Sequence, residues 1–484
     1  MQYTSTRGRE SVRSTQAILN GLAPDGGLYV PCVFPEGFDS LSLIGLPFEE
    51  MAARIFTLFL DDFDGIPALV SRAYRNKFDC ADITPLKKVG KRYVLELFHG
   101  PTCAFKDVAL SALPVLMTAA MRQEGAAKEI MILTATSGDT GKAAMEGFKD
   151  VPGIRITVFY PAGGVSPVQE KQMTSQAGKN VCVAAVKGNF DDAQSAVKEI
   201  FAKGLPDGSG TVLSSANSIN IGRLVPQIVY YFKAYSDLVM SGEIAAGDPV
   251  DFTVPTGNFG DILAGYFAKR IGLPVEKLIC ASNANHVLTD FFRTGVYDRN
   301  RPFYKTTSPS MDILISSNLE RLLYLLGGED PAQVKALMES LKKDGSFAVP
   351  PALLRRLQET FPAGFADDAA AAGAIRAVWE KHGYLMDPHT AVAWSVAESL
   401  PDPGRPSVIL STASPYKFPA AVLEALGQKA ADDPFDLMGQ LSSFTGTPVP
   451  KPLASLKTAP VRFSDVVGRE NLYEYVVSLT EGND

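Results

Sequence analysis

The sequence is poor in the residues that cross-link a chain or hold a metal. Its 484 residues include five cysteines (Cys32, Cys80, Cys103, Cys182 and Cys280), far apart and without a CxxC pair, and four histidines without HExxH spacing. Neither a disulfide framework nor a zinc site is expected. No run of about 18 apolar residues occurs, so no membrane-spanning helix is expected. The opening MQYTSTRGRESVRS has arginines but no apolar segment behind them; without that signal-peptide pattern the chain is expected in the cytoplasm. Basic residues are nowhere clustered: 46 Lys and Arg against 53 Asp and Glu give a net charge of −7, and nucleic acid is not an expected partner. No repeat of solenoid period is present, and nothing indicates an obligate protein partner.

What the chain has is bulk and rhythm. Hydrophobic residues make up 46% and charged residues 20%, an ordinary globular balance, and the length predicts two or three units rather than one core. From about residue 91, apolar or β-branched runs alternate with helical patterns: RYVLELF, EIMILTA, IRITVFY, NVCVAAV, TVLSSA, VDFTVP, KLICAS and SVILST. This alternation predicts an α/β fold, a parallel sheet with helices on both faces and strands buried on both sides. Ligands of such sheets bind beyond the carboxyl ends of the strands, so chemistry is expected in the strand-to-helix loops. The first 90 residues, with the turn-rich GLAPDGGLYVP and the helical PFEEMAARIFTLFL, read as an accessory unit. The stretch 293–310 and the Ala/Asp-rich FADDAAAAGAIRAVW read as insertions.

Three loops carry the chemistry. In HGPTCAFKDVAL, Lys106 opens an apolar helix, where both the helix dipole and its apolar neighbours disfavour the ammonium and lower its pKa. A neutral amine suits a Schiff base; snorkelling to solvent or pairing with Asp107 is the alternative. In TATSGDTGKAA, residues 134–144, small residues, hydroxyls and free N–H groups at a helix start make an anion site. A phosphate-binding loop of the GxxxxGK[ST] kind would need glycine at 136 and Ser or Thr at 143, where Thr136 and Ala143 stand, so nucleotide binding is rejected and a bare glycine turn is the alternative. In VPTGNFGDILAG, Gly257 and Gly260 let backbone N–H groups approach an anion. Two anion loops and one reactive lysine on one sheet suggest a phosphorylated carbonyl cofactor with an anionic substrate, and pyridoxal phosphate fits. Its ring nitrogen directs attention to the hydroxyls of Ser411, Thr412 and Ser414, which otherwise satisfy local backbone groups. At SSANSINIGRLVPQ, Arg223 offers a bidentate clamp for phosphate or carboxylate, or else a solvated surface charge.

The ordered motifs GLAPDGGLYVP, HGPTCAFKD, TSGDTG, NSINIGR, GNFGD, MDILISSNLERLL, DPHTAVA and STASPYKFP resemble threonine synthase of the longer bacterial and fungal type. The resemblance covers about residue 3 to about residue 422; the tail after Phe444 carries no motif. It implies the fold-type II architecture of the tryptophan synthase β family, with two parallel-sheet α/β domains closing over pyridoxal phosphate. The expected division is an accessory unit 1–90, a smaller domain 91–225 with the lysine and substrate loop, and a larger domain 226–484 with the phosphate loop. The implied reaction converts O-phospho-L-homoserine and water to L-threonine and phosphate, a lyase step of amino-acid biosynthesis.

By that resemblance Lys106 is the Schiff-base lysine and the catalytic base. Gly257, Asn258, Phe259, Gly260 and Asp261 cradle the cofactor phosphate, and Thr412 faces the pyridine nitrogen. Ser137, Gly138, Asp139 and Thr140 hold the substrate carboxylate. Arg223 first, then Asn217, Lys142 and Asn220, are the candidates for the substrate phosphate. Relatives in the wider group often carry Asn where this chain has Asp139, which leaves the cofactor's ring-oxygen contact in question. Cys103 reads as a small apolar filler. Competing readings are a phospho-lyase releasing 2-oxobutyrate and ammonia from the same site, and a non-catalytic pyridoxal-phosphate-binding protein.

Overall fold

The computed structural model describes all residues except 127, 137, 189, 207, 403, 430–432 and 482–484. The chain opens with a small antiparallel sheet of β1 (Gln2–Ser5), β2 (Ser11–Arg13) and β3 (Tyr29–Pro31) in the order β2-β1-β3. Helix Phe48–Phe59 follows, burying Phe48, Met51, Ala52, Ile55, Phe56 and Phe59. These positions recur at the helical period, so one stripe faces the core. The Tyr3 hydroxyl donates to the Phe59 carbonyl at 2.8 Å and locks sheet to helix.

Then come β4 (Leu86–Val89), β5 (Arg92–Glu96), β6 (Glu129–Ala135), β7 (Ile154–Pro161), β8 (Val181–Lys187), β9 (Thr211–Ser214), β10 (Val250–Pro255) and β11 (Val275–Ser282). A hairpin of β12 (Val296–Asp298) and β13 (Ser346–Ala348), then β14 (Ala363–Phe365), β15 (Ser407–Ser411) and β16 (Asp465–Gly468), complete the strands. All eight runs picked from the sequence lie on strands. The fold is α/β with two main sheets, as expected. One has the order β14-β11-β10-β15-β5-β4, parallel except for the β4–β5 hairpin; the other, β16-β8-β7-β6-β9, is parallel throughout.

The sheets do not follow the expected division at residues 91 and 225. β5, placed by sequence in the smaller unit, pairs with β15 of the six-stranded sheet. The unassigned tail sends β16 back to the edge of the five-stranded sheet beside β8. Alternation identifies a strand but not its neighbour, because parallel pairing joins segments far apart in sequence. The Ala/Asp-rich piece forms the helix Asp368–His382, capped by the Asp367 carboxylate accepting the Ala370 N–H; it packs on the helix Pro388–Ser399, which in turn covers the six-stranded sheet.

Helix Lys106–Gln123 is buried nearly all round and carries Pro114 in its interior. Proline has no N–H for the carbonyl of Leu110 four residues earlier. Gly147 of the helix Asp139–Phe148 sits against that carbonyl: a Cβ there would lie 2.1 Å from the Leu110 oxygen. Only glycine lets the two helices close at this point. Among the described residues no helix is long and apolar enough to cross a membrane, and no group of three His, Cys, Asp or Glu side chains is placed to hold a metal.

The tail's helix Leu472–Glu481 buries Leu472 and Val476 against the five-stranded sheet. Leu472→Ala is expected to lower unfolding stability by about 2–4 kcal/mol, the usual effect of truncating a buried leucine. Hydrogen exchange should localise the loss, with faster exchange in β8 and β16 and unchanged protection in β10 and β15.

Candidate active site

The adjacent strands β10, β15 and β5 end side by side, and each runs into a loop that the sequence singled out. After β5, the turn carrying Lys106 is pinned to the end of β15. The Phe105 N–H donates to the Thr412 carbonyl at 2.8 Å and the Ser414 N–H to the Cys103 carbonyl at 3.1 Å, with a bridge between Ala104 and Ala413. Asp107 ties the turn from inside, accepting from the Thr102 N–H at 2.8 Å and the Thr102 hydroxyl at 2.6 Å. Gly100 is required here, since a Cβ would meet that of Asp107 at 2.4 Å.

Lys106 starts its helix partly exposed. Asp107 is occupied by Thr102 and forms no ion pair with it. The Nζ lies 4.6 Å from the Phe105 ring centroid and makes no hydrogen bond or ion pair among the described residues. Burial, reinforced by the positive Lys417 and Arg223, lowers its pKa from 10.5 to about 8 against the opposing pull of Asp139. The depressed pKa inferred from sequence is present.

In the loop after β10, the Gly257 carbonyl accepts from the Ser316 hydroxyl at 2.7 Å; the Asn258 carbonyl accepts from the Asn318 N–H at 3.1 Å and its side-chain amide at 3.0 Å. In a trans peptide the next N–H points opposite to the carbonyl, so the N–H groups of Asn258 and Phe259 are turned away from Ser316 and Asn318. Those N–H groups and that of Gly260 have no acceptor among the described residues. Phe259 adopts φ of 61° at the start of the helix Gly260–Arg270, and its buried ring packs against Phe292 and Phe361. A Cβ at Gly257 would lie 2.9 Å from the Ser310 carbonyl. This is a cradle of free donors for an anion. Asp261 contributes its backbone only. Its carboxylate turns inward to the hydroxyls of Tyr230 at 2.5 Å and Tyr231 at 3.1 Å, and burial pushes it up to about 6. The Thr412 hydroxyl has no partner among the described residues. A free amine, a donor-lined loop and a free hydroxyl at neighbouring strand ends suit pyridoxal phosphate.

After β6, Ser137 lies outside the described residues. The Thr136 hydroxyl accepts the N–H groups of Gly138 at 3.0 Å and Gly141 at 2.9 Å and so shapes the turn. Gly138, at φ of 134°, leaves room for Gln169. Asp139 does not face a ligand. Its carboxylate is buried on Lys417 at 2.6 Å, with Gln169 donating at 3.1 Å and the Ser310 hydroxyl at 3.4 Å. Burial raises its pKa, but Lys417, Lys106 and the Gln169 donor together hold it well below the usual carboxylate range. The N–H groups of Asp139 and Thr140 and the Thr140 hydroxyl have no partner among the described residues.

Arg223 is 2% exposed. One guanidinium nitrogen donates to the Ala216 carbonyl at 2.6 Å, its Nε has no partner, and no carboxylate pairs with it among the described residues. Burial lowers its pKa to about 10. The surface alternative for this arginine fails. Asn217 is partly exposed with its amide free. Two other candidates are committed to the fold. Asn220 caps its helix by accepting the Gly222 N–H at 2.9 Å and donates to the Ile18 carbonyl at 2.9 Å. Lys142 pairs with Glu146 at 3.1 Å and hydrogen-bonds Gln176. Residue type alone suggested both, and each is taken by one local partner, Glu146 or the Gly222 N–H, and one distant partner, Gln176 or the Ile18 carbonyl.

Sequence reasoning missed Lys417, which is 1% exposed and also donates to the Thr102 carbonyl at 3.1 Å. It missed the buried Asp387–His389 pair as well, joined at 2.6 Å, with the His389 Nε2 accepting the Ser310 N–H at 3.2 Å. STASPYKFP and DPHTAVA contain both. A lysine or histidine inside an otherwise apolar segment was the available signal.

The family described as "Pyridoxal-phosphate dependent enzyme" matches residues 82–412, "Threonine synthase N terminus" matches 2–74 and "Threonine synthase, C-terminal" matches 390–476. Human "Threonine synthase-like 1" is 42% identical over 439 residues, covering 87% of this chain, which spans only 58% of that relative's length. "Threonine synthase" of Pseudomonas aeruginosa is 40% identical over 442 residues, covering 89% of this chain and 92% of the relative. Among solved structures, the PLP-bound threonine synthase of Brucella melitensis aligns with TM-score 0.88 and 40% identity over 100% of both chains. The yeast threonine synthase structure gives 0.87 and 34%, over 99% of this chain and 98% of that one.

Asn220→Ala removes a helix cap, and an unfolding titration should read a loss of about 1–2 kcal/mol. Lys106 is expected to react with an amine-selective acylating reagent at a rate half-maximal near pH 8, the pKa its burial sets, against above 10 for an ordinary lysine; peptide mapping across pH reads this directly.

Proposed function

We propose, because the chain belongs to the threonine synthase family, that it converts O-phospho-L-homoserine and water into L-threonine and inorganic phosphate. The observation that carries this reading is the unpaired amine of Lys106 beside the donor-lined loop at 257–260, with the unpaired guanidinium of Arg223 close enough to influence its charge. A cytoplasmic location belongs to the same proposal.

Lys106 would hold pyridoxal phosphate through its aldehyde, the N–H groups of Asn258, Phe259 and Gly260 would hold the phosphate, and Thr412 would meet the ring nitrogen. Bound there, the cofactor supplies an electron sink for carbanion chemistry next to the substrate amine. Once displaced by that amine, Lys106 is a base whose lowered pKa leaves much of it neutral near pH 8, able to take a proton at Nζ from the substrate's α-carbon and to return one. The Asp139 and Thr140 N–H groups and the Thr140 hydroxyl form the carboxylate subsite. The Asp139 side chain cannot join it, since a carboxylate repels a carboxylate.

Arg223 faces the departing phosphate, assisted by the Asn217 amide. Charge developing on the phosphate oxygens meets a preorganised cation that is already desolvated, so no reorganisation is needed when the bond breaks. A buried guanidinium without a carboxylate partner destabilises a fold unless a ligand completes it. Its presence here argues for an anionic ligand.

The test is a product balance on the purified, cofactor-loaded protein given O-phospho-L-homoserine. Threonine is expected to match phosphate one for one. Phosphate accompanied by 2-oxobutyrate would assign the lyase instead, and no phosphate at all would leave binding without catalysis. Lys106→Ala should reduce turnover by more than about 10³-fold, since one group serves as attachment point and base. Arg223→Gln should lower kcat/KM by about 10- to 100-fold, the loss of charge-assisted hydrogen bonds, while stability holds or rises.

A further inference from the structure

One carboxylate, Asp139, acts on two lysines, the buried Lys417 and the partly exposed Lys106. The Asp139 Oδ1 accepts from Lys417 at 2.6 Å, while Lys106 has no acceptor among the described residues. Lys417 is held twice, by Asp139 and by the Thr102 carbonyl at 3.1 Å, and Thr102 belongs to the turn that carries Lys106. Asp139 is held too, by Gln169 at 3.1 Å and by the Ser310 hydroxyl at 3.4 Å. Asp139 follows β6 of one sheet and Lys417 follows β15 of the other, so the pair bridges the two sheets.

We propose that Lys417 is a positioning residue of this site: by occupying Asp139 it denies Lys106 an ion-pair partner and leaves Lys106 as the free amine that captures the cofactor. The inference rests on the reading of Lys106 as the attachment lysine. The charged groups acting on Lys106 are Asp139 from the helix Asp139–Phe148, Lys417 from the turn after β15, Arg223 from the helix Ile221–Met240, Asp261 from the helix Gly260–Arg270, and Asp107 on its own helix. Asp107 is occupied by Thr102 and Asp261 by the two tyrosines. Asp139 is thus the carboxylate whose allegiance decides the state of Lys106. With Lys417 in place the carboxylate is neutralised; without it, the nearest ammonium left to compensate a buried carboxylate is Lys106 itself. Proton and charge then stay on Lys106, and nucleophilic attack on an aldehyde requires that they leave.

The two members of the pair must therefore act in opposite directions. Removing Lys417 takes away a positive neighbour and frees a negative one, which favours the charged form of Lys106. Removing the Asp139 charge while keeping Lys417 favours the neutral form. Neighbouring charges of this kind move a titration by about one to three pH units.

The experiment uses the full chain freed of cofactor, mixed with pyridoxal phosphate from pH 6 to pH 10, with the visible absorbance of the lysine–cofactor bond followed in time. Borohydride reduction and peptide mapping then identify the lysine modified. Wild type is expected to label Lys106 and not Lys417. Lys417→Met should move the pH midpoint of incorporation to the alkaline side, Asp139→Asn to the acid side, and the double variant should lose the alkaline shift. Lys417→Arg keeps the charge and should stay close to wild type. Should Lys417→Met fail to fold, Asp139→Asn decides alone: an unchanged or alkaline midpoint overturns the proposal. A Lys417→Met profile superimposed on wild type also overturns it, leaving the pair a structural tie. Wild-type chain that takes up no cofactor, or takes it on another lysine, overturns the reading of Lys106 itself and this inference with it.

Discussion

The burial of one helix, Lys106–Gln123, constrains the rest of the site. Thirteen of its 18 residues are buried, so it has no solvent face to absorb a rotation or a shift. It packs against the helices Ile66–Tyr74, Asp139–Phe148 and Ile221–Met240, which belong to the accessory unit, to the loop after β6 and to the segment carrying Arg223. An interior packed to crystal-like density transmits displacement rather than damping it. A shift at Pro114 or Gly147 would therefore reach Lys106 at the other end. This explains why a small N-terminal unit with no chemistry of its own bears on the site: it encloses the helix on which the reactive amine stands.

Much of this was legible in the sequence, for identifiable reasons. Strands buried on both faces write themselves as apolar runs, so all eight were found. Gly257 was singled out for the approach of an anion, and it also admits the Ser310 carbonyl, which a Cβ would meet at 2.9 Å. Lys106 could be singled out because the helix dipole and the apolar neighbours of its segment act locally. What remained hidden is non-local. The partner of β5 is β15, more than 300 residues away. The i,i+4 partner of Lys142 and the cap made by Asn220 follow local rules, but the contacts of Lys142, Asn220 and Asp261 with Gln176, Ile18 and Tyr230 do not. A polar residue type announces capacity; only the fold says who has used it.

The same distinction separates the buried charges. Asp107, Asp139 and Asp261 each have hydrogen-bond donors, and Lys142 and Lys417 each have a carboxylate. Asp139, Lys142 and Lys417 are paired with opposite charge and read as architecture. Asp107 and Asp261 have donors but no cation, and one Asp261 oxygen has no partner, among the described residues. Lys106, partly exposed, and Arg223, buried, have no such partners among the described residues. The folded-state pKa of Lys106 lies at about 8 against an ordinary 10.5, so between these values the unfolded chain binds more protons and stability rises with pH through that window. Below it, at neutral pH, the full penalty of enclosing the ammonium is borne by the fold.

Carbonyls can stand in for a carboxylate, as those of Tyr29 and Ile219 do for the buried Arg321, but Arg223 has only the Ala216 carbonyl and an Nε without a partner. The two uncompensated groups differ in what would relieve them: an amine that readily loses its proton is completed by a carbonyl carbon, and a guanidinium that keeps its proton is completed by an anion. Arg223 lies close enough to lower the pKa of Lys106, and that proximity suits a molecule, or two molecules held together, presenting both. The carboxylates acting on Lys106 each have donors already: Asp139 has Lys417, Asp107 has Thr102 and Asp261 has the two tyrosines. On the proposed reading, preference for a substrate with anionic groups would rest on the pairing of Asp139 with Lys417 as well as on the cations themselves.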